Sequence, residues 1–342
     1  MKSKTTKGKK ILIPLICIAS VAVLGLYLIS HLGYHRSIMA TFSEWFMILI
    51  DRDSIYSQEE DFVKNLRLRG ETNLQDQHIP DGVKMDIPYS YKHEHGMQVY
   101  YFNEDCMKEN STVLLYIPGG GYLNPPLKYH WKIINRLSQE ANCTVVMPIY
   151  LKVPNYTCDE AYDAMIDFYK DFSTRDGIER IIIAGDSSGG GMSLVLSQLV
   201  RDNYPKLLQP EEIILIAPWM DVSMDNEHIC EYESVDPMLD IYGAKEIGKL
   251  WAGKRDVHDP MVSPIYGTFE NLGYITVFIG TRDMLCPDCL YFSDILKEKG
   301  IDRTLVVKEG LDHPYPLFPT PEAAQAQDMM IEIIKGNTAR AD

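Results

Sequence analysis

The chain has 342 residues, 46% of them hydrophobic, and a formal net charge of −15 at pH 7. This length and apolar content suffice for one large domain or two small ones, and no internal repeat or low-complexity tract suggests another organisation. An acidic surface repels phosphate backbones, so DNA and RNA are excluded as expected partners.

The N-terminus combines a basic stretch with an apolar one. Five of the first ten residues are lysine, and Ile11–Ile29 contains no charged residue. The apolar run is close to the roughly 20 residues that cross a bilayer and longer than the usual core of a signal peptide. We predict a cytoplasmic tail over residues 1–10 and a single-pass signal anchor over residues 11–30, with the rest of the chain outside the cytoplasm. A cleaved signal and a secreted protein are the alternative.

Residues 31–82 are predicted to form cap or linker helices. The stretch FSEWFMILI, residues 42–50, reads as an amphipathic helix close to the predicted anchor. Its apolar side can either pack on the core or lie at a membrane surface, and a core-facing helix is the simpler interpretation.

Residues 83–342 are predicted to form an α/β domain. Residues 83–102 read as a hairpin, and from residue 113 onward apolar β-type runs alternate with amphipathic segments, which is typical of a mostly parallel sheet flanked by helices. The predicted strands are Thr112–Ile117, Thr144–Tyr150, Arg180–Ala184, Glu212–Ala217, Ile275–Gly280 and Thr304–Val307. The predicted helices are Tyr129–Glu140, Asp159–Phe172, Gly191–Asp202, Pro287–Lys299 and Pro321–Ile334.

A polar, helical insert over residues 223–258 interrupts this alternation. In an open α/β sheet, inserts at the carboxyl ends of strands commonly build a lid or a substrate pocket. We therefore expect the insert to contribute a second part of a cap.

The sequence Gly185-Asp-Ser-Ser-Gly189 ends one apolar β run and opens a helix. A G-x-S-x-G motif between strand and helix indicates a nucleophile elbow, a turn too tight for bulky neighbours. Ser187 is therefore predicted to be a nucleophile, which requires a histidine base and an orienting acid further along the chain.

Three histidines follow Ser187, namely His228, His258 and His313. The first two belong to the insert or its end, whereas His313 lies in a loop after the last predicted strand. That position favours His313 as the general base.

Three aspartates compete for the role of the acid. Asp283 ends the strand before that of His313 and is preferred, because a carboxylate there can accept a hydrogen bond from the imidazole. Asp221, one strand earlier, is the rival and is expected to be structural. Asp259 precedes Pro260 and reads as a turn former.

Three glycines, Gly119 to Gly121, directly follow the strand that ends at Ile117. Bare backbone at a strand end suits a phosphate, an anionic transition state or a tight turn. The Gly-Lys-Ser/Thr ending of a phosphate-binding loop is missing. With a serine nucleophile downstream, the N–H groups of Gly119, Gly120 and Ser188 are predicted to form an oxyanion hole.

The single Cys286-Pro-Asp-Cys289 motif has no second cysteine pair, so a local disulfide or two thiols are better interpretations than a zinc site. Asn110, Asn142 and Asn155 open glycosylation-type triplets, which decide nothing by themselves.

Together these motifs resemble those of the hormone-sensitive-lipase-like group of α/β-hydrolases, the GDXG esterases. The matching segments run in the family's order over about residues 85–335. They are the GDSAG-type elbow at Gly185–Gly189, the glycine loop Gly119–Tyr122, the segment Ile216–Asp221, the DPxxSPL-like Asp259–Ile265, and the acid and base loops Gly280–Asp283 and Asp312-His313.

The resemblance implies an α/β-hydrolase fold with a helical cap and a serine carboxylesterase, lipase-like, that cleaves short to medium acyl esters without cofactor or metal. It also implies that Tyr122, the aromatic residue of the glycine loop, binds substrate. Members with one N-terminal anchor are known in this group. The partner is then a small-molecule ester, and the oligomeric state is open.

One position departs from the family pattern, since Pro118 stands where the family has a histidine that supports the oxyanion loop. Proline has no N–H to donate and fixes its own φ, so we expect its ring to stiffen the loop instead. The alternatives left open are an amide or formamide hydrolase with the same triad and a non-catalytic receptor on this fold.

Overall fold

The computed structural model describes residues 20–50, 59–108 and 110–337. The predicted tail and the first part of the predicted anchor lie outside these residues. Within the described residues, no helix is long and apolar enough to cross a membrane. Residues 20–28 are helical and continue into a π-helical turn, Ile29–Gly33.

The centre of the molecule is an eight-stranded sheet. Its strands are β1 Tyr89–Glu94, β2 Met97–Phe102, β3 Thr112–Ile117, β4 Thr144–Ile149, β5 Arg180–Asp186, β6 Pro210–Ile216, β7 Tyr274–Gly280 and β8 Arg303–Lys308. Their order in the sheet is β1-β2-β4-β3-β5-β6-β7-β8. β1 and β2 form the predicted hairpin, β2 pairs antiparallel with β4, and all other pairs are parallel. The prediction of a mostly parallel sheet is thereby confirmed.

After the helical residues 20–28, nine further α-helices accompany the strands among the described residues. These nine are α1 Ile38–Ile50, α2 Glu59–Thr72, α3 Lys128–Ala141, α4 Cys158–Phe172, α5 Ser188–Asn203, α6 Ile229–Glu233, α7 Ile241–Ala252, α8 Cys286–Glu298 and α9 Pro321–Lys335. Five of them, α3, α4, α5, α8 and α9, match the predicted helices to within three residues at either end.

The central strands are uniformly apolar because both faces of the sheet are covered. Along β5, Ile181 and Ile183 pack in the cluster that contains α4 and α5. Ile182 points to the other face, in a cluster with Trp131 of α3 and Met330 of α9. The strict alternation of side chains along a strand therefore builds one core on each side of the sheet.

Helices α6 and α7 lie inside the insert that the sequence singled out. Asp240 caps α7 by accepting a hydrogen bond from the Gly243 N–H at 2.6 Å. Cys286 and Cys289, at the start of α8, are free and buried thiols.

Helix α1 contradicts the expectation of a core-facing helix. Phe42, Phe46 and Leu49 are 55%, 61% and 72% exposed, whereas Thr41 and Glu44 are buried. The large apolar side chains Phe42, Phe46 and Leu49 thus face outward, whereas Thr41 and Glu44 face the protein.

The parallel strands bring the predicted functional residues to one edge of the sheet. The glycine loop follows β3, Ser187 follows β5, Asp283 follows β7 and His313 follows β8. Because the carboxyl ends of parallel strands share an edge, segments almost 200 residues apart in sequence meet there.

Candidate active site

Ser187 occupies a strained turn between β5 and α5. Its φ of 54° and ψ of −125° are unusual for a residue with a side chain. The Ser187 N–H donates to the Ile216 carbonyl at 2.9 Å, and its own carbonyl accepts from the N–H groups of Gly191 and Trp219 at 3.1 and 2.9 Å. Bonds from the neighbouring strand and helix therefore hold the turn in this conformation.

The glycines of the elbow are required by close approach of the backbone. A Cβ on Gly185 would lie 2.3 Å from the Gly189 carbonyl oxygen, and a Cβ on Gly189 would lie 2.0 Å from that of Ile117. Neither position can hold a side chain without moving backbone, so the G-x-S-x-G spacing follows from packing.

His313 and Asp283 form a buried pair. Nδ1 of His313 lies 2.8 Å from Oδ2 of Asp283, and the side chains are 3% and 0% exposed. The second carboxylate oxygen, Oδ1, accepts the Leu285 N–H at 2.9 Å. With Nδ1 directed at the carboxylate, Nε2 is the ring nitrogen left for proton transfer.

The surroundings of His313 favour its charged form. Burial alone would lower the pKa of the imidazole, but the Asp283 carboxylate, with smaller contributions from Asp236 and Asp186, raises the pKa above its usual value of 6.5. The imidazole therefore takes up a proton at a higher pH than a free histidine does.

The rival acid, Asp221, has other partners. It accepts the Ser223 N–H at 2.8 Å, the Ser263 hydroxyl at 3.2 Å and the Tyr266 hydroxyl at 2.6 Å. These bonds occupy both carboxylate oxygens and give Asp221 the structural role that was expected for it.

The other candidates from the sequence are also in structural positions. Asp259 accepts the Met261 N–H at 2.9 Å in a turn. His228 and His258 are exposed and lie beside Glu231 and Asp256.

Asp186, the residue before the nucleophile, is buried and holds the glycine loop. Its Oδ1 accepts the Gly119 N–H at 3.0 Å and the Tyr116 hydroxyl at 2.8 Å, and its Oδ2 lies 3.0 Å from Nε2 of His130. Burial acts to raise the pKa of this carboxyl, but His130 and the hydrogen bonds from Gly119 and Tyr116 lower it overall. The carboxylate is therefore kept ionised.

This arrangement answers how the loop is supported without the family's histidine. Pro118 has no side-chain donor, so it cannot hold the loop by a hydrogen bond. The carboxylate of Asp186 in the elbow instead accepts the N–H of the next residue, Gly119. His130, which sequence reasoning missed, contributes from α3 and pairs with that carboxylate.

Gly119 is consequently not free to serve an oxyanion, and the prediction for it is corrected. Its N–H donates to Asp186, and a Cβ at this position would lie 2.3 Å from Oδ2 of the same carboxylate. Gly120 and Gly121 line the cavity beside Ser187. No other residue in the described part of the chain accepts from their N–H groups.

Ser188 opens α5, and the first N–H groups of a helix have no partner within it. Its hydroxyl lies 3.2 Å from the Tyr150 hydroxyl. The backbone N–H of Ser188 thus remains directed to the N-terminal end of α5, where Ser187 lies.

Tyr122 does not line the cavity, and its predicted contact with substrate is wrong. The residue is fully buried, and its ring stacks on Trp251 at 4.0 Å and on Trp219 at 5.5 Å between ring centroids. Tyr122 supports the glycine loop from the core, while Trp219 lines the cavity.

Asp236 of the insert is a second residue that sequence reasoning missed. It accepts the N–H groups of Met284 at 2.7 Å, Met238 at 2.8 Å and Leu239 at 3.0 Å. Burial, with a smaller contribution from Asp283, raises its pKa to about 6. Asp236 therefore fixes the insert to the residue that follows Asp283.

A cavity of about 410 Å³ opens over Ser187 and His313. This volume falls within the range of small-molecule sites. Its walls are mainly apolar and come from the glycine loop, the insert, the base loop and α2. They include Leu127, Trp219, Met238, Leu239, Ile247, Leu285, Leu317 and Phe318, with Arg69 from α2.

Over residues 20–50, 59–108 and 110–337, no group of three or more His, Cys, Asp or Glu side chains has the geometry to hold a metal ion.

The chain is similar in sequence and in fold to several known proteins. The model of the Abhydrolase_3 family, described as an alpha/beta hydrolase fold, matches residues 114–317. A triacylglycerol lipase of Mycobacterium tuberculosis is 27% identical over 204 residues, which are 59% of this chain and 41% of that protein. An esterase of Acinetobacter venetianus is 27% identical over 222 residues, 63% of this chain and 72% of that protein. The chain therefore spans less than half the length of the mycobacterial relative.

Among solved structures, an esterase from the bacterial hormone-sensitive lipase family superposes with a TM-score of 0.73. The match covers 86% of this chain and 97% of the other at 22% identity. At this identity the similarity shows the fold.

The contact between His130 and Asp186 predicts a stability defect. His130→Ala should lower the free energy of unfolding by about 2–3 kcal/mol, because it leaves a buried carboxylate oxygen without its hydrogen-bond donor. Tyr116→Phe removes a neutral donor and should cost about 1 kcal/mol. Urea unfolding measures both values, with the exposed His228→Ala as control. Equal unfolding midpoints for His130→Ala and the unmodified protein would show that His130 does not hold the loop.

Proposed function

Because the chain belongs to the Abhydrolase_3 family of the α/β-hydrolase fold, we propose that it is a serine carboxylic ester hydrolase that forms an acyl-enzyme on Ser187. The hydrogen bond between His313 and Asp283, at the cavity that Ser187 also lines, carries this proposal. The esterase and lipase names of the relatives agree with it.

The first step is attack by the Ser187 hydroxyl on the ester carbonyl. Nε2 of His313 takes the hydroxyl proton as the Oγ–carbon bond forms, and Asp283 stabilises the resulting imidazolium at Nδ1. Ser187 already lines the cavity from its turn at the sheet edge, so the attack needs no rearrangement of the elbow.

The negative oxygen of the tetrahedral intermediate requires preset donors. We assign this role to the N–H groups of Gly120, Gly121 and Ser188, since Gly119 already donates to Asp186. One such donor typically contributes about 3–4 kcal/mol to transition-state stabilisation. Asp186 contributes indirectly, because it fixes the residue that precedes the two free donors.

Collapse of the intermediate breaks the bond to the alcohol oxygen, which receives the proton from His313 Nε2. Water then repeats the sequence on the acyl-enzyme, with His313 as base, and releases the carboxylic acid and the free serine. Every proton passes through one imidazole, so neither a cofactor nor a metal takes part in the proposed cycle.

The cavity supports short to medium acyl esters as the substrate class. Its apolar walls suit an aliphatic chain, and its volume of about 410 Å³ suits a small molecule. The basic side chains among the described residues that line it are Arg69, His130 and the catalytic His313, and it has no lysine, so strongly anionic substrates gain little attraction.

We also propose that residues 11–30 anchor the chain in a membrane with the catalytic domain outside the cytoplasm. The described end of this segment supports the proposal, since Val21, Val23 and Leu24 lie on a helix and are 71%, 61% and 56% exposed. Intact mass of the natural protein distinguishes the anchor from a cleaved signal. Loss of the first 20 to 30 residues would refute the anchor.

The proposed triad predicts a sharp loss of turnover. Ser187→Ala and His313→Ala should each reduce kcat for p-nitrophenyl acetate and butyrate by at least about 10⁴-fold. Asp221→Asn should leave kcat within about tenfold of the unmodified protein, because it removes a structural partner. Equal activity in all three variants would disprove the mechanism.

The same panel tests the substrate class. We expect kcat/KM to fall for acyl chains that outgrow the cavity, and to be far lower for the matching p-nitroanilides. Faster anilide turnover would favour an amide hydrolase, and ligand binding without any Ser187-dependent turnover would favour a receptor.

The raised pKa of His313 predicts the pH dependence. Catalysis needs the neutral imidazole, so kcat/KM should fall as the pH drops through a midpoint above 6.5. Asp283→Asn should move that midpoint to lower pH and reduce kcat by roughly 10³–10⁴-fold.

Two other carboxyls titrate nearby, and the substitution of each by asparagine separates its titration from that of His313. Burial raises the pKa of Asp236 to about 6 and that of Asp312 to about 7. An acid limb that disappears in Asp236→Asn or in Asp312→Asn would belong to that carboxyl and would contradict the assignment to His313.

A further inference from the structure

Helix α1 has the reverse of the polarity expected for a helix on a protein surface. Of its residues whose side chains the structure describes, every exposed one is apolar. They recur at helical spacing, so they form one continuous stripe. The stripe consists of Met39, Phe42, Trp45, Phe46, Ile48 and Leu49, with exposures between 42% and 72%.

The polar residues of α1 face the protein, where they are bound to charged partners. Glu44 is 3% exposed and contacts the guanidinium groups of Arg36 and Arg282, the latter at 2.5 Å. Nε of Arg36 donates to the Thr41 hydroxyl at 3.1 Å. Glu44 is the only charged residue of α1, and it is directed inward.

These contacts fix the orientation of α1. Arg36 also donates to the Gly310 carbonyl at 2.7 Å, and the backbone packs so closely that a Cβ on Gly310 would lie 1.8 Å from the Tyr34 carbonyl oxygen. The Ser37 N–H donates to Glu322 at 2.6 Å. Rotation of α1 to hide its apolar stripe would break buried ion pairs, which is costly when one partner is left unpaired.

The apolar surface extends upstream of α1. Val21, Val23, Leu24, Leu28 and Leu32 are between 43% and 71% exposed. These residues precede α1 by fewer than 20 positions and include the end of the predicted anchor. The stripe thus begins, at Met39, only nine positions after a segment proposed to enter a bilayer.

We propose that the apolar stripe of α1 lies in the interfacial region of a lipid bilayer. A large apolar face without lysine or arginine gains its affinity from burial in the acyl boundary and not from anionic headgroups. Trp45 within the stripe suits this depth, since tryptophan prefers the boundary between headgroups and acyl chains. Zwitterionic phosphatidylcholine, which has no net charge, should therefore suffice as partner, with little dependence on salt.

The same helix connects the bilayer contact to the active site. Arg282 precedes Asp283 and Asp312 precedes His313, and both lie in the ion-pair network with Arg36. The buried ion pairs therefore set the orientation of the catalytic cavity relative to the membrane.

Trp45 supplies a specific probe of this proposal. The chain has four tryptophans, and Trp131, Trp219 and Trp251 are 0%, 4% and 0% exposed, against 43% for Trp45. In phosphatidylcholine vesicles with brominated acyl chains, the full chain should lose fluorescence relative to plain vesicles. This loss of fluorescence should vanish in Trp45→Phe. Attachment of the chain to vesicles through residues 11–30 alone should not produce the loss.

Substitution of the stripe tests the contact itself. Phe42→Ser with Phe46→Ser should abolish most of the Trp45 quenching at an unchanged thermal unfolding midpoint, while Tyr291→Ser, a 57% exposed residue of α8, should retain it. Equal emission of Trp45 in brominated and plain vesicles would overturn the proposal. The proposal would also be overturned if the protein formed dimers without lipid and the double substitution dissociated them. A second copy of the chain would then cover the stripe.

Discussion

The catalytic edge of this molecule depends on one buried carboxylate, that of Asp186. An ionised carboxyl out of water is tolerated only with good partners, and Asp186 obtains them from three places, the Tyr116 hydroxyl on β3, the Gly119 N–H in the glycine loop and His130 on α3. Because Asp186 is bonded covalently to Ser187, the position of the nucleophile and that of the glycine loop are fixed by the same group. The strained φ of Ser187 is supported from that side and from the carbonyl of Ile216 on β6.

This constraint decides which backbone groups are left for chemistry. The Gly119 N–H is used to hold the loop, and the next two glycines then face the cavity. On the other side of the cavity, Asp283 and Asp236 share the loop after β7, where one orients His313 and the other secures the insert. The carboxylates of the site therefore have different roles. Burial raises the pKa of Asp236 and of Asp312, and the charge of Asp283 adds to both shifts.

Sequence reasoning succeeded where the signal is local. The strands were found because segments buried on both faces read as continuous apolar runs, and Ser187 because the elbow needs glycines within two residues on either side. Chain order then selected His313 and Asp283. Sequence reasoning failed where the role of a residue depends on a side chain that is distant in the sequence. His130 lies 56 residues from Asp186, and Asp236 lies 48 residues from Met284. Gly119 and Tyr122 were assigned by motif, whereas their direction is set by packing against Asp186 and Trp251. The outward apolar face of α1 is not predictable in this way. The orientation of α1 depends on Arg36, which pairs with Asp312 at a separation of 276 residues.

The central claim is that Ser187, activated by His313, is the residue that becomes acylated. Covalent labelling with a fluorophosphonate, followed by peptide mass spectrometry, tests it most directly because the reagent reacts with activated serines without need for the natural ester. The account predicts one adduct, on Ser187, that is absent from Ser187→Ala and forms far more slowly in His313→Ala. An adduct on another residue, or ester turnover that persists after Ser187 is fully labelled, would contradict it.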